Sequence, residues 1–173
     1  MCALEDVNKL VEHFNRSLVH LWSEEDTIFG VGSVEPFDEQ KWRKEFAQSR
    51  SRSLEQPGWL RTLLVLDEDR IVGEVNLRTE ELNTSQHRAK LGIGLEKAYR
   101  GQGIGRSLME RIIDWARRET QIEWIDLGVF HTNKTAYELY KSLGFIEWGR
   151  CADRFRVAGK NITDISMSLK LSP

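Results

Sequence analysis

Residues 98–119 read AYRGQGIGRSLMERIIDWARRE, and the rest of the chain is best approached from here. Gly101, Gly103 and Gly105, with Arg100 and Arg106, stand where the spacing of Ile104, Leu108, Ile112 and Trp115 announces an amphipathic helix. A helix N-terminus carries backbone N–H groups without intrahelical partners and a partial positive charge. Residues lacking Cβ let an anion approach those groups closely, so the loop has the makings of a phosphate site. Counting excludes two familiar phosphate loops. GxxxxGK[ST] needs one more residue and a lysine where Arg106 precedes Ser107, and GxGxxG needs its third glycine out of register with Gly105. A tight turn alone would not call for three glycines between two arginines.

Composition sets the frame. The 173 residues are 40% hydrophobic and 30% charged with a formal net charge of -2, the profile of one compact domain that needs neither disulfide nor metal to hold together. The two cysteines, Cys2 and Cys151, lie far apart and outside any CxxC or histidine cluster; a zinc site or redox pair is not expected, and a reducing cytoplasm is. No apolar run approaches a membrane span and no signal peptide is evident, so neither membrane association nor export is expected. The near-neutral balance gives no reason to expect a nucleic acid partner.

No repeat or linker divides residues 1–173, which read as a single domain. ALEDVNKLVEHFNRSLVHLW (3–22) places Leu4, Val7, Leu10, Val11, Phe14 and Leu18 at helical spacing, and FDEQKWRKEFAQ (37–48) reads as a second helix. After the polar loop SRSRSLEQPG (49–58), TLLVLDEDRIVGEVNL (62–77) reads as two strands around an acidic turn, and RAKLGIGL (88–95) as a third. Beyond the 104–119 helix come a strand over WIDLGVF (124–130), a short helix over KTAYELYKSL (134–143) and two strands split near AGKN (158–161). Gly92, Gly94 and Gly128 weaken two strands that otherwise look central, which predicts a bulge or a close backbone approach.

The pattern R-x-x-G-x-G at Arg100, Gly103 and Gly105, followed by VFHTNKTAYELYKSLGF (129–145), resembles the two cofactor motifs of the GNAT N-acetyltransferase superfamily. The resemblance runs from about Thr62 to Leu171. It implies an α/β fold with a mixed, mostly antiparallel sheet splayed into a V between two central strands and flanked by about four helices. It implies acetyl-CoA as co-substrate, with no metal. The pyrophosphate would sit on Arg100, Gly101, Gln102, Gly103, Ile104, Gly105, Arg106 and Ser107. The pantetheine arm would lie between the splayed strands on main-chain groups of the bulged one, at Ile93 and Leu95, and against Asn133 and Ala136. A tyrosine at Tyr140 would protonate the departing thiolate. Read without the resemblance, Asn133 is a complete N-cap and Tyr140 an ordinary core tyrosine, so both readings stand.

The chemistry needs few groups, because a thioester is already activated toward a positioned, deprotonated amine. Neither cysteine has a partner histidine near the motifs, which points to direct attack in a ternary complex. Glu74, acting through water, is the expected base, ahead of Glu96 and His131, since burial can raise a strand carboxylate toward a useful range. The reading is acetyl transfer from acetyl-CoA to a primary amine of a small molecule or amino acid. Protein N-terminal amines and a non-catalytic acetyl-CoA sensor are the alternatives, and a homodimer is left open. The chain departs from the family pattern at its start, where Met1 leads almost at once into the first helix with no room for the usual opening strand. Trp22, Phe29, Phe37, Trp42 and Trp59 gather in that half, as core packing or as an acceptor pocket.

Overall fold

Apolar residues alternate along the middle strands, and this alternation sets which side of the sheet is packed. The computed structural model describes residues 6–20, 38–157 and 159–171. In chain order these form α1 (Val7–His20), α2 (Glu39–Ser51), β1 (Leu60–Asp67), β2 (Arg70–Thr79), β3 (Arg88–Leu95), α3 (Ile104–Glu119), β4 (Trp124–Phe130), α4 (Lys134–Ser142), β5 (Ile146–Val157) and β6 (Lys160–Lys170). This is the order expected from the sequence. Of the five aromatic residues singled out in the first part of the chain, Trp22, Phe29 and Phe37 lie outside the described residues. The other two pack: Trp42 stacks on Phe46 with ring centroids 4.9 Å apart, and Trp59 is buried edge-on to Trp115. Among the described residues no strand precedes α1.

The sheet runs β1-β2-β3-β4-β6-β5. Every neighbouring pair is antiparallel except β3 and β4, which are parallel. Val75 and Leu77, Ala89 and Leu91, Ile125 and Leu127, and Ile165 and Met167 project to one side and share a core with Leu108, Met109, Ile112, Ile113 and Ala116 of α3. The buried stripe of α3 is therefore wider than the four residues read from the sequence, as a helix laid across several strands requires. On the opposite side α1 and α2 cover the β1–β2 end, where Leu10, Phe46 and Ile71 form a second, smaller core.

A polar knot fastens α1 to β2 and to the end of β3. His13 is 1% exposed, with Nε2 3.0 Å from Glu74 Oε2 and Nδ1 3.3 Å from Glu96 Oε1. Arg16 donates from Nε to Glu96 and from Nη2 to the Ile71 carbonyl, at 3.0 and 2.8 Å, and Arg70 also pairs with Glu96. Burial pushes the Glu96 carboxyl up, but the hydrogen bonds from Arg16, Arg70 and His13 outweigh it and hold the group below its ordinary range.

The strand glycines have a cause other than a bulge. The β2–β3 register runs without a shift from Gly73↔Leu95 to Thr79↔Ala89, while the irregularities fall in β1–β2 and β5–β6. A Cβ on Gly94 would stand 2.7 Å from both Glu74 oxygens, one on Gly92 3.1 Å from Asn76 Nδ2, and one on Gly128 2.9 Å from Asp164 Oδ1. Polar side chains of the neighbouring strands lie flat over these glycines. Because the Glu74 carboxylate is buried and held by His13, Gly94→Ala should lower unfolding stability by about 1–3 kcal/mol, measured by urea denaturation; an unchanged midpoint and slope would contradict this close approach.

Candidate active site

A short 3₁₀ turn over Lys97–Tyr99 leads from β3 into the glycine loop. Gly101 and Gly103 have φ of 75° and 82°, the left-handed region that glycine enters without strain. Gly103 is the N-cap of α3 and supplies no side-chain cap, so the first amides of the helix are left without an acceptor of that kind. The first backbone bond of the helix runs from Ser107 N–H to the Gly103 carbonyl at 3.1 Å. A Cβ on Gly101 or Gly103 would meet nothing within 4 Å, so this ring of donors opens outward. Arg100 anchors the loop by donating from Nε to the Leu95 carbonyl at 2.9 Å, and Arg106 ties α3 to α4 through Ser142 Oγ at 2.7 Å.

The same loop sits at the mouth of a parting in the sheet. β3 and β4 pair only at Arg88↔Trp124, Ala89↔Ile125 and Lys90↔Asp126, although both strands continue for several residues beyond. The V expected from the family resemblance is this divergence. A cleft of about 940 Å³ fills it, with Ile93 and Leu95 on one wall, Leu127, Val129 and Phe130 on the other, and Arg100, Gly101, Gly103, Gly105 and Arg106 at one end. Backbone groups of β3 past Lys90 have no β4 partner and are available to an extended chain with amide groups.

α4 closes the cleft with Asn133, Ala136, Leu139 and Tyr140. Asn133 caps this helix, its Oδ1 accepting from Ala136 N–H at 3.1 Å, and it also lines the cleft. Tyr140 is 7% exposed, and burial pushes its phenol up to about 12. Tyr137, one helical step away, turns outward and donates to Glu147 Oε2 at 2.8 Å.

A second cleft, about 480 Å³, opens on the other side of the sheet between Asn76, Arg78 and Lys90 and the β5 residues Trp148 and Cys151. Leu91, Gly92, Leu127, Gly128, Arg154 and Asp164 line both clefts. The two hollows therefore share a wall along the gap between β3 and β4, where Gly92 and Gly128 carry no side chain.

Most of the residues named from sequence converge on the first cleft: Ile93, Leu95, Arg100, Gly101, Gly103, Gly105, Arg106, Asn133, Ala136 and Tyr140. Gln102, Ile104 and Ser107 do not line it. Gln102 turns back to donate to the Ala98 carbonyl at 2.9 Å, Ile104 packs on the core, and Ser107 is exposed on the helix. Glu74 lines neither cleft; it lies over Gly94 with its carboxylate against His13. His131 accepts the Thr163 N–H at Nδ1, 3.1 Å away. Sequence reasoning missed Leu127 and Val129, whose alternation in WIDLGVF was the available signal, and Phe155, Arg154 and Asp164, for which no local signal exists. Among the described residues no group of three or more His, Cys, Asp or Glu is placed to hold a metal ion, and no helix is long and apolar enough to cross a membrane.

Comparison with known proteins points the same way. The model of the acetyltransferase (GNAT) family matches residues 33–145. The L-amino acid N-acetyltransferase AaaT of Escherichia coli is 26% identical over 96 residues, 56% of this chain and 59% of that protein, so the match spans less than two thirds of that relative. The spermidine N(1)-acetyltransferase of Vibrio cholerae is 26% identical over 148 residues, 84% of this chain and 76% of that one. Among solved structures, yncA from Salmonella typhimurium with its cofactor acetyl-CoA superposes with a TM-score of 0.74 at 19% identity, over 99% of this chain and 92% of that chain.

Two outcomes test this geometry. Gly105 has room for a side chain, its Cβ position lying 3.8 Å from Leu139 Cδ2, yet it lines the cleft. Gly105→Val should thus leave the melting temperature close to wild type and weaken coenzyme A binding about tenfold or more by covering the amides; calorimetry giving equal affinity would dismiss the loop as an anion site. The second concerns Tyr140. A phenol near 12 in the fold and near 10 in the unfolded chain favours folding below pH ~10, and that contribution fades as pH climbs through ~12. The unfolding free energy of wild type should fall relative to that of Tyr140→Phe by roughly 2–3 kcal/mol across this window; parallel pH curves would show that the hydroxyl is not desolvated.

Proposed function

The chain belongs to the GNAT acetyltransferase family, and from that premise we propose that it transfers the acetyl group of acetyl-CoA to the primary amine of a small molecule or amino acid, within one domain and in the cytoplasm. One observation carries the reading: the uncapped start of α3 stands at one end of a cleft between parted strands, and that cleft shares its wall with a second hollow on the opposite side of the sheet. A donor and an acceptor entering from opposite sides would meet at that wall, which is the arrangement that direct transfer in a ternary complex requires.

The first cleft suits a coenzyme A thioester along its length. The amides at the start of α3, with Arg100 and Arg106, offer charge-assisted hydrogen bonds to a pyrophosphate. Backbone groups of β3 beside Ile93, which have no β4 partner, and the Asn133 amide suit the amide groups of a pantetheine arm. Leu127, Val129 and Phe130 give the apolar wall that such an arm needs. These residues bind and orient the thioester and keep water from its carbonyl.

In the transfer, a C–N bond forms to the acetyl carbon, the C–S bond breaks, and an incoming ammonium loses two protons. One goes to sulfur and one finally to solvent. We assign the sulfur to Tyr140, because it lines the same cleft. Its phenol lies well above the ordinary range of a thiol, so its strongest contribution is a hydrogen bond to the negative charge that develops as C–S breaks, with its proton moving only as another arrives. Such a contribution exists in the transition state and leaves ground-state binding nearly untouched.

Release of free thiol from acetyl-CoA across a panel of amino acids, polyamines and other small primary amines tests the proposal. Turnover with at least one amine is expected; binding of coenzyme A with no thiol release from any amine would make the protein a sensor. With an active amine, Tyr140→Phe should lower kcat about a hundredfold and leave coenzyme A affinity within a factor of about two. An unchanged kcat would remove Tyr140 from the mechanism.

A further inference from the structure

We propose that Asp164 is the residue that receives the acceptor's ammonium and takes its first proton; the assignment rests on acetyl transfer to an amine being the reaction. Asp164 is set in β6 opposite Phe130 of β4 and Cys151 of β5, and its side chain is 17% exposed. Its carboxylate leans over Gly128, with Oδ1 2.9 Å from the point a Cβ there would occupy. That glycine stands in the wall that the clefts share, and Asp164 contributes to both hollows. A carboxylate at this position reaches toward a nucleophile entering from the second cleft and toward a carbonyl held in the first.

The other acidic groups of the region are engaged elsewhere. Asp126 accepts from Arg88 Nε at 2.8 Å and from Arg88 Nη2 and Ser168 as well. Glu74 is against His13, and Glu96 is held by Arg16, Arg70 and His13. Among the described residues the ionic neighbour of Asp164 is Arg154, whose Nε lies 3.4 Å from Oδ2. Arg154 is 54% exposed and stands in the irregular stretch of β5 between Cys151 and Phe155, beside Asp153 with its φ of 51°. Bulged edges of this kind commonly re-aim a side chain beside an active site. A half-exposed guanidinium at a distance beyond hydrogen bonding is a partner that a substrate ammonium can displace, while Oδ1 remains over Gly128.

The charged and titratable groups that share the second hollow with Asp164 are Arg154 and Cys151 of β5, Asp126 of β4, Lys90 of β3 and Arg78 of β2. Three of them, Arg78, Lys90 and Arg154, are cations. The step balances simply. Ammonium gives one proton to the carboxylate, the freed lone pair attacks the thioester carbonyl, the second nitrogen proton leaves as the thiolate is protonated, and the Asp164 carboxyl returns its proton to solvent.

The test is Asp164→Asn, assayed from neutral to alkaline pH with an amine that the wild-type protein acetylates, together with melting temperature, coenzyme A affinity and calorimetric binding of that amine to the coenzyme A complex. Melting and coenzyme A affinity should match wild type, amine binding should weaken about tenfold, and kcat/KM at neutral pH should fall roughly a hundredfold. The deficit should narrow as pH rises, because free amine from solution then replaces what the carboxylate supplied. A merely structural aspartate would give a loss independent of pH, and that result overturns the assignment, as does a variant that matches wild type at every pH. A wild-type protein that acetylates no amine overturns the transfer reading itself, and this assignment with it.

Discussion

The arrangement depends on where two strands stop pairing. β3 and β4 hold together over three residue pairs and then separate. Each strand beyond that point must satisfy its inner backbone groups in some other way, and one neighbour that can do so is a bound chain with amides of its own. The separation is sustained from both flanks. β2 keeps β3 in unbroken antiparallel register, and β6 does the same for β4 from Trp124 to Phe130. The gap is held open by well-formed structure on each side, so it does not depend on a ligand to form.

The two sides of the sheet divide the labour. On one, α3 and α4 bury the main core and bring the helix N-terminus and Tyr140 to the slot. On the other, among the described residues, α1 and α2 cover the β1–β2 end, fastened by the knot of His13, Glu74, Glu96, Arg16 and Arg70, and a second hollow occupies the middle strands. Hydrophobic burial and the tethering of α1 thus set the scaffold, while the glycines at 92 and 128 stand in the wall between the hollows. A side chain at either glycine would press on Asn76 or Asp164.

Much of this was legible in the sequence because it is encoded locally. The loop from Arg100 to Arg106 carries its own geometry in its glycines, the helix after it carries its apolar stripe, and the WIDLGVF and RAKLGIGL strands match the observed bounds of β4 and β3. The family resemblance supplied the V. What depends on long-range pairing was not legible. That Gly94 yields to Glu74 follows from a register between strands twenty residues apart, whereas glycine alone predicts a bulge or a close backbone approach without deciding between them. Glu74 looked available as a base because its partner, His13, sits sixty-one residues away on a helix. Asp164 carries no motif, and its place beside Gly128 exists only through the β4–β6 and β5–β6 ladders. The residues at the mouth of the first cleft were readable because they cluster in one stretch of chain; those of the second hollow are assembled from β2, β3, β4, β5 and β6.

A crystal structure with coenzyme A bound tests the central claim most directly. The account predicts the pyrophosphate on the amides that open α3, the pantetheine arm between β3 and β4 beside Ile93 and Val129, and the sulfur near Tyr140 with its free side facing Gly128 and Asp164. Coenzyme A lying outside the parted strands, or a gap closed by continued β3–β4 pairing past Lys90 and Asp126, would contradict it.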